Sequence, residues 1–265
     1  MKSKKFWFLL LLYFGLINIQ CKKTLYRCGV DDKKVEVLPA KNYVEIDENH
    51  PAYKRRMDSS DFKDFHIYLD LVNIKNDIKK YNLEEYESFY IDSLTKAVKT
   101  LETLLKVIPL TRAYRFTDEQ IQAIQIEDWN KTVLGTDAKG DMASFDIDLI
   151  ILGRFDDQLS EEVLASAWPR YSGTNGRPIV GVVSINPKIA YSKLNSEYAF
   201  QSTILHEFTH ILGFLINYFQ SVYKNLITKT DEDGVTRSYL NSPKLLEVAK
   251  KYYNCSSIDG VELEE

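Results

Sequence analysis

Apolar and polar positions change period several times along the chain, and each change marks an element. Phe6 to Ile17 is an unbroken apolar run behind Lys2, Lys4 and Lys5, with polar Asn18 and Gln20 after it. A charged lead and an apolar stretch this short suit a signal peptide over residues 1–20 better than a membrane span. Residues 21–60 mix charges without period and contain Pro39 and Pro51, the pattern of a pro-segment or linker. Phe65 to Ile74 is rich in aromatic and β-branched residues, which predicts a strand. From Leu83 to Val107 apolar residues recur at helical spacing (Tyr86, Tyr90, Leu94, Ala97, Val98, Leu101, Leu104, Leu105) and Pro109 follows, predicting a long amphipathic helix on a sheet.

Phe145 to Leu152 predicts a second strand, residues 153–178 with their glycines and prolines a loop, and Ile179 to Ile185 a third strand ended by Asn186-Pro187. A helix is expected from about Ser196 towards Tyr218, and a last one over Lys244 to Tyr253. Ser242 suits its N-cap and Pro243 its first turn. Strands and helices follow one another without internal repeat. The expected class is α+β, with residues 61–265 as the folded domain.

Composition narrows the function. Hydrophobic residues at 45% and charged residues at 27% of 265 positions describe a globular chain rather than a disordered one. A net charge of -4 leaves no basic surplus to neutralise phosphates, so nucleic acid is not an expected partner. The leader predicts secretion or display on the extracellular side of the cell surface. In that oxidising compartment three cysteines (Cys21, Cys28, Cys255) leave at least one thiol over. The sequons Asn130-Lys131-Thr132 and Asn254-Cys255-Ser256 fit the same route.

The chemistry sits in His206-Glu207-Phe208-Thr209-His210. Histidines four apart on a helix project from one face and can reach one metal ion, with the glutamate beside it as general base. That set points to Zn2+ and metal-assisted hydrolysis: metal ligands His206 and His210, catalytic Glu207. A core helix with two satisfied histidines is the bland alternative. Against it, half of the chain's four histidines stand in this spacing, and Gly213 extends the match to HExxHxxG, where a glycine lets the helix stop. Catalytic zinc takes three protein ligands. The position three residues past Gly213 is Ile216, no histidine follows His210, and His50 and His66 are weak substitutes.

These segments together resemble the leishmanolysin family of metzincin endopeptidases. GRPIVGVVSINP (Gly176 to Pro187) is similar to the family's strand ahead of the active-site helix, and TILHEFTHILGF (Thr203 to Phe214) to the helix itself. NSPKLLEVAKKYYNCSSIDGVELE (Asn241 to Glu264) resembles the segment after its long insertion, and FHIYLDLV with LLKVIPL its first strand and helix. The resemblance implies a metzincin-like N-terminal catalytic subdomain: a mixed twisted sheet packed on a long helix and an HExxH helix. It implies a third histidine, and then a methionine turn, beyond Glu265; the only methionines here are Met1, Met57 and Met142. The chain is therefore expected to be either truncated before those parts or a member that has lost its third ligand.

Arg27-Cys28-Gly29-Val30-Asp31 looks like the family's pro-segment motif, which implies a latency switch at Cys28; pairing of Cys28 with Cys255 is the alternative. Peptide or protein substrates and association with a membrane surface are the implied partners. The strand Ile179 to Ile185 would either hold an extended peptide along the cleft or be an ordinary interior strand. The rival function is a catalytically inactive secreted or surface protein that binds or adheres.

Overall fold

The structure is a computed structural model and describes residues 43–46, 63–107, 114–115, 117, 119–120, 147–173, 176–189, 197–215, 226–230 and 234–263. The expected leader, Cys21, Cys28, His50, Asn130 and nearly all of the expected pro-segment lie outside the described residues. Described residues up to Gly213 form one compact unit and those from Phe214 onward another.

The first unit opens with β1 (Tyr43–Ile46), β2 (Lys63–Asp64), β3 (Ile67–Asp70) and the short helix α1 (Val72–Asp77). A single 3-10 turn at Glu84–Tyr86 leads into α2 (Glu87–Leu104), followed by β4 (Lys106–Val107) and β5 (Tyr114–Arg115). Then come β6 (Leu149–Phe155), β7 (Ala165–Gly173), β8 (Pro178–Ile185) and α3 (Glu197–Ile211). The main sheet has the order β3-β6-β8-β7-β1-β5. Strands β3, β6 and β8 are parallel, β7 is antiparallel to β8, β1 is parallel to β7, and β5 is antiparallel to β1. β2 pairs with β4 in a separate two-stranded ribbon. This mixed sheet with helices is the expected α+β class.

Burial explains why β6 and β8 read as apolar runs rather than alternating ones. All but one residue of each is buried, so both faces of these central strands are covered. α2 packs on α3, and α3 lies over β7 and β8. Aromatic rings stitch these layers: Phe200 of α3 meets Phe89 at 4.9 Å and Tyr90 at 5.6 Å, and Tyr90 meets Phe155 of β6 edge-on at 5.2 Å. Such ring pairs contribute about 0.5–1.5 kcal/mol each beyond the area they bury.

Several expectations need correction. The strand expected over Phe65 to Ile74 stops at Asp70, because the Asp70 carboxylate accepts the Val72 N–H at 2.9 Å and turns the chain into α1. The loop expected over 153–178 contains the end of β6 and the nine residues of β7. Pro169 and the glycines suggested punctuation, but Pro169 sits at a register shift of β7, where a missing N–H is tolerated. Strand β8, for which a cleft role and an interior one were both open, is the interior one. β6 takes one of its edges and β7 the other, so it has no backbone edge left for a peptide.

In the second unit β9 (Leu226–Thr230), β10 (Thr236–Leu240) and β11 (Val261–Glu262) form a sheet of order β11-β10-β9, and α4 (Pro243–Tyr252) stands between β10 and β11 in sequence. The expected signals hold for α4: Ser242 accepts the Leu245 N–H at 3.4 Å, with Pro243 in the first turn. Leu240 and Leu245 are buried together, with Leu226, Val248, Val261 and Leu263 around them. No helix among the described residues is long and apolar enough to cross a membrane.

The start of β6 is pinned by a buried carboxylate. Asp148, 3% exposed, accepts the His66 backbone N–H at 3.2 Å and the Arg177 guanidinium at 3.2 Å. Asp148→Ala should lower the unfolding free energy by about 1–3 kcal/mol in urea denaturation, because a backbone N–H and a guanidinium lose the buried carboxylate that accepts from both. An unchanged midpoint would mean that this junction is not what aligns β3, β6 and β8.

Candidate metal centre

The chain returns over the sheet as α3 because Ile204, Phe208 and Ile211 lie on one face and are fully buried. Leu212 is half-buried and Leu215 is buried. The helix ends earlier than expected, at Ile211 rather than towards Tyr218. Gly213 takes φ 93° and donates its N–H to the His210 carbonyl at 3.0 Å, a left-handed stop that glycine adopts without strain.

Ile211 reaches the sheet at Gly181, the middle of β8. A Cβ built on Gly181 would lie 2.2 Å from Ile211 Cγ2 and 2.8 Å from its Cγ1 and Cδ1. Gly181 shares a row with Ile151 of β6 and Pro169 of β7. The missing side chain is thus the slot into which the last turn of α3 is seated. The residue was visible in the sequence as a lone glycine inside the run IVGVVSI, a signal of close backbone approach, but its partner was not.

Above that contact the structure brings His206, Glu207 and His210 together. One ligand atom from each lies within 4.8 Å of the other two. The Nε2 atoms of the two histidines are 3.0 Å apart, and the rings meet edge-on at 4.7 Å between centroids. Two imidazole nitrogens bound to one tetrahedral zinc at about 2.0–2.1 Å would stand roughly 3.3 Å apart. A small rotation of either ring satisfies that, so the donor set fits zinc. Glu207 is fully buried and His206 is 5% exposed. The Thr209 hydroxyl, also buried, donates to the His206 carbonyl at 2.6 Å and so tightens the helix between the two imidazoles. The pair lies towards the C-terminal end of α3, where the helix dipole favours a cation.

His66 does not join this group. It is exposed just before β3, and its backbone binds Asp148 and Leu149. His50 and Cys28 lie outside the described residues. Cys255 is a free thiol whose Sγ lies 3.2 Å from the Ser257 hydroxyl. Among the described residues no other histidine or cysteine completes the donor set.

A family profile for leishmanolysin, a peptidase family, matches residues 91–265. The chain belongs to the leishmanolysin family. No curated protein matches it. Membership makes this leishmanolysin relative a zinc metallopeptidase by descent, and its His-Glu-His group is where such chemistry would be expected.

Two outcomes test this account of the site. Gly181→Ala should lower stability by about 1–3 kcal/mol and weaken zinc affinity, and Ile211→Ala in the same chain should restore part of both. Additive losses in the double variant would show that Gly181 and Ile211 do not act on each other. The second outcome concerns pH. Burial pushes the His206 imidazole down from 6.5 to about 4. Between those values the unfolded chain binds the extra proton, so the stability contributed by the neutral ring is complete above pH ~6.5 and lost towards pH ~4. The metal-free chain should lose on the order of 3 kcal/mol over that window, and His206→Gln should flatten the loss. A pH profile unaffected by His206→Gln contradicts the account.

Proposed function

We propose that the chain is a secreted or surface-held zinc endopeptidase in which His206 and His210 hold the metal and Glu207 is the general base. The observation that carries this reading is a fully buried carboxylate on the same helix as two imidazoles whose Nε2 atoms are 3.0 Å apart. Zinc, when bound, supplies a Lewis acid that polarises the scissile carbonyl and makes water acidic enough to react near neutral pH. Glu207 takes the proton of the attacking water and returns it to the leaving amine. Its burial excludes bulk water, which raises the effect of each charge on the next.

An extended peptide or protein segment is the proposed substrate. Residues 1–20 are assigned as the signal peptide, 21–60 as a pro-segment with Cys28 as its latency switch, and 61–265 as the peptidase domain. Among the described residues no third histidine joins His206 and His210. The family is one of surface or extracellular enzymes, which supports secretion and contact with a membrane surface.

The two-histidine set among the described residues favours one rival, a binding or adhesion protein that keeps the fold without turnover. Glu207→Gln separates the two. It should reduce peptide hydrolysis by about 10²–10⁴-fold while leaving bound zinc unchanged, and chelation should abolish hydrolysis until zinc is restored. Hydrolysis that survives the substitution removes Glu207 as base. Tight peptide binding with no hydrolysis by the zinc-loaded chain supports the rival.

A further inference from the structure

The triplet Asn254-Cys255-Ser256 stands directly after α4. The helix closes with the Tyr253 N–H donating to the Ala249 carbonyl at 2.9 Å and the Cys255 N–H reaching back to the Lys250 carbonyl at 3.1 Å. Between them Asn254 takes φ 49°. This is the left-handed position of a helix C-terminal cap, which favours glycine or asparagine. That cap uses only backbone groups and presents the Asn254 side chain to solvent, with Ser256 exposed two residues on. A shallow groove lined by Glu247, Lys250, Lys251 and Cys255 runs beside Asn254, so a first sugar would find polar partners.

We propose that Asn254 is an N-linked glycosylation site at the end of α4. The Asn254 Nδ2 attacks the anomeric carbon of a lipid-linked oligosaccharide. A carbon–nitrogen bond forms, the bond to the polyprenyl diphosphate breaks with that diphosphate leaving, and one amide proton is lost. Ser256 supplies the hydroxyl that the transfer recognises. Because the side chain leaves the cap outward, the attached sugar disturbs neither the helix nor its buried residues Leu245 and Ala249. This inference rests on the secretory reading above. It separates the two reasons for an asparagine here: a cap needs only the backbone conformation, a glycan needs the amide and the hydroxyl together.

The test secretes the full chain from eukaryotic cells and maps the peptide carrying Asn254 by mass spectrometry before and after glycosidase. The unaltered chain and Ser256→Thr should carry the glycan. Asn254→Gly, which keeps the left-handed cap, and Ser256→Ala, which keeps the asparagine, should both lose it and gain mobility by one glycan. Secreted chain with an unmodified Asn254 overturns the site while leaving the secretory reading intact. Chain retained in the cytosol and unmodified overturns both.

Discussion

The candidate site depends on how closely α3 approaches the sheet, and that approach is set by the absence of a side chain at Gly181. Ile211 fills the space a Cβ would take, with Cγ2 2.2 Å from the built position. Neither Gly181 nor Ile211 carries chemistry. Together they fix the last turn of the helix, and with it the height of His210 and His206 over β8. Close-packed interiors transmit such shifts rather than absorbing them. A site that needs its donor atoms within a few tenths of an ångström therefore inherits its precision from an apolar contact.

Around that seat the sequence places polar groups where water is scarce. Glu207 is fully buried and His206 nearly so. Burial keeps the His206 ring neutral, the form that offers a lone pair to a metal. The same burial makes the group costly to keep without a compensating charge. A cation held by His206 and His210, near the negative end of the helix dipole, would offset part of that cost. Structure and chemistry thus point the same way: a donor set expensive to bury is retained on a helix seated closely against the sheet at Gly181.

The features legible in the sequence are the local ones. The i, i+4 histidines, Gly213 as helix stop and the Ser242-Pro243 start of α4 all depend on residues a turn apart, and each appears in the structure. Features decided by distant partners were missed. β7 looked like a loop because Pro169, Gly173 and the neighbouring Gly176 and Pro178 carry the composition of one, while its pairing with β8 overrides that composition. The β9–β10 hairpin had a signal in Asp233-Gly234 between β-branched runs. The short strands β1, β2, β4 and β5 had none, since two to four residues show no period. The interior position of β8 was open in the sequence and is settled only by strand order.

The most direct test of the central claim is the zinc X-ray absorption spectrum of the zinc-loaded chain. The account predicts a first shell containing two imidazole nitrogens at about 2.0–2.1 Å. That imidazole signature should be lost in His206→Ala with His210→Ala and kept in Glu207→Gln. A spectrum without imidazole ligands, or one unchanged when both histidines are removed, would contradict it.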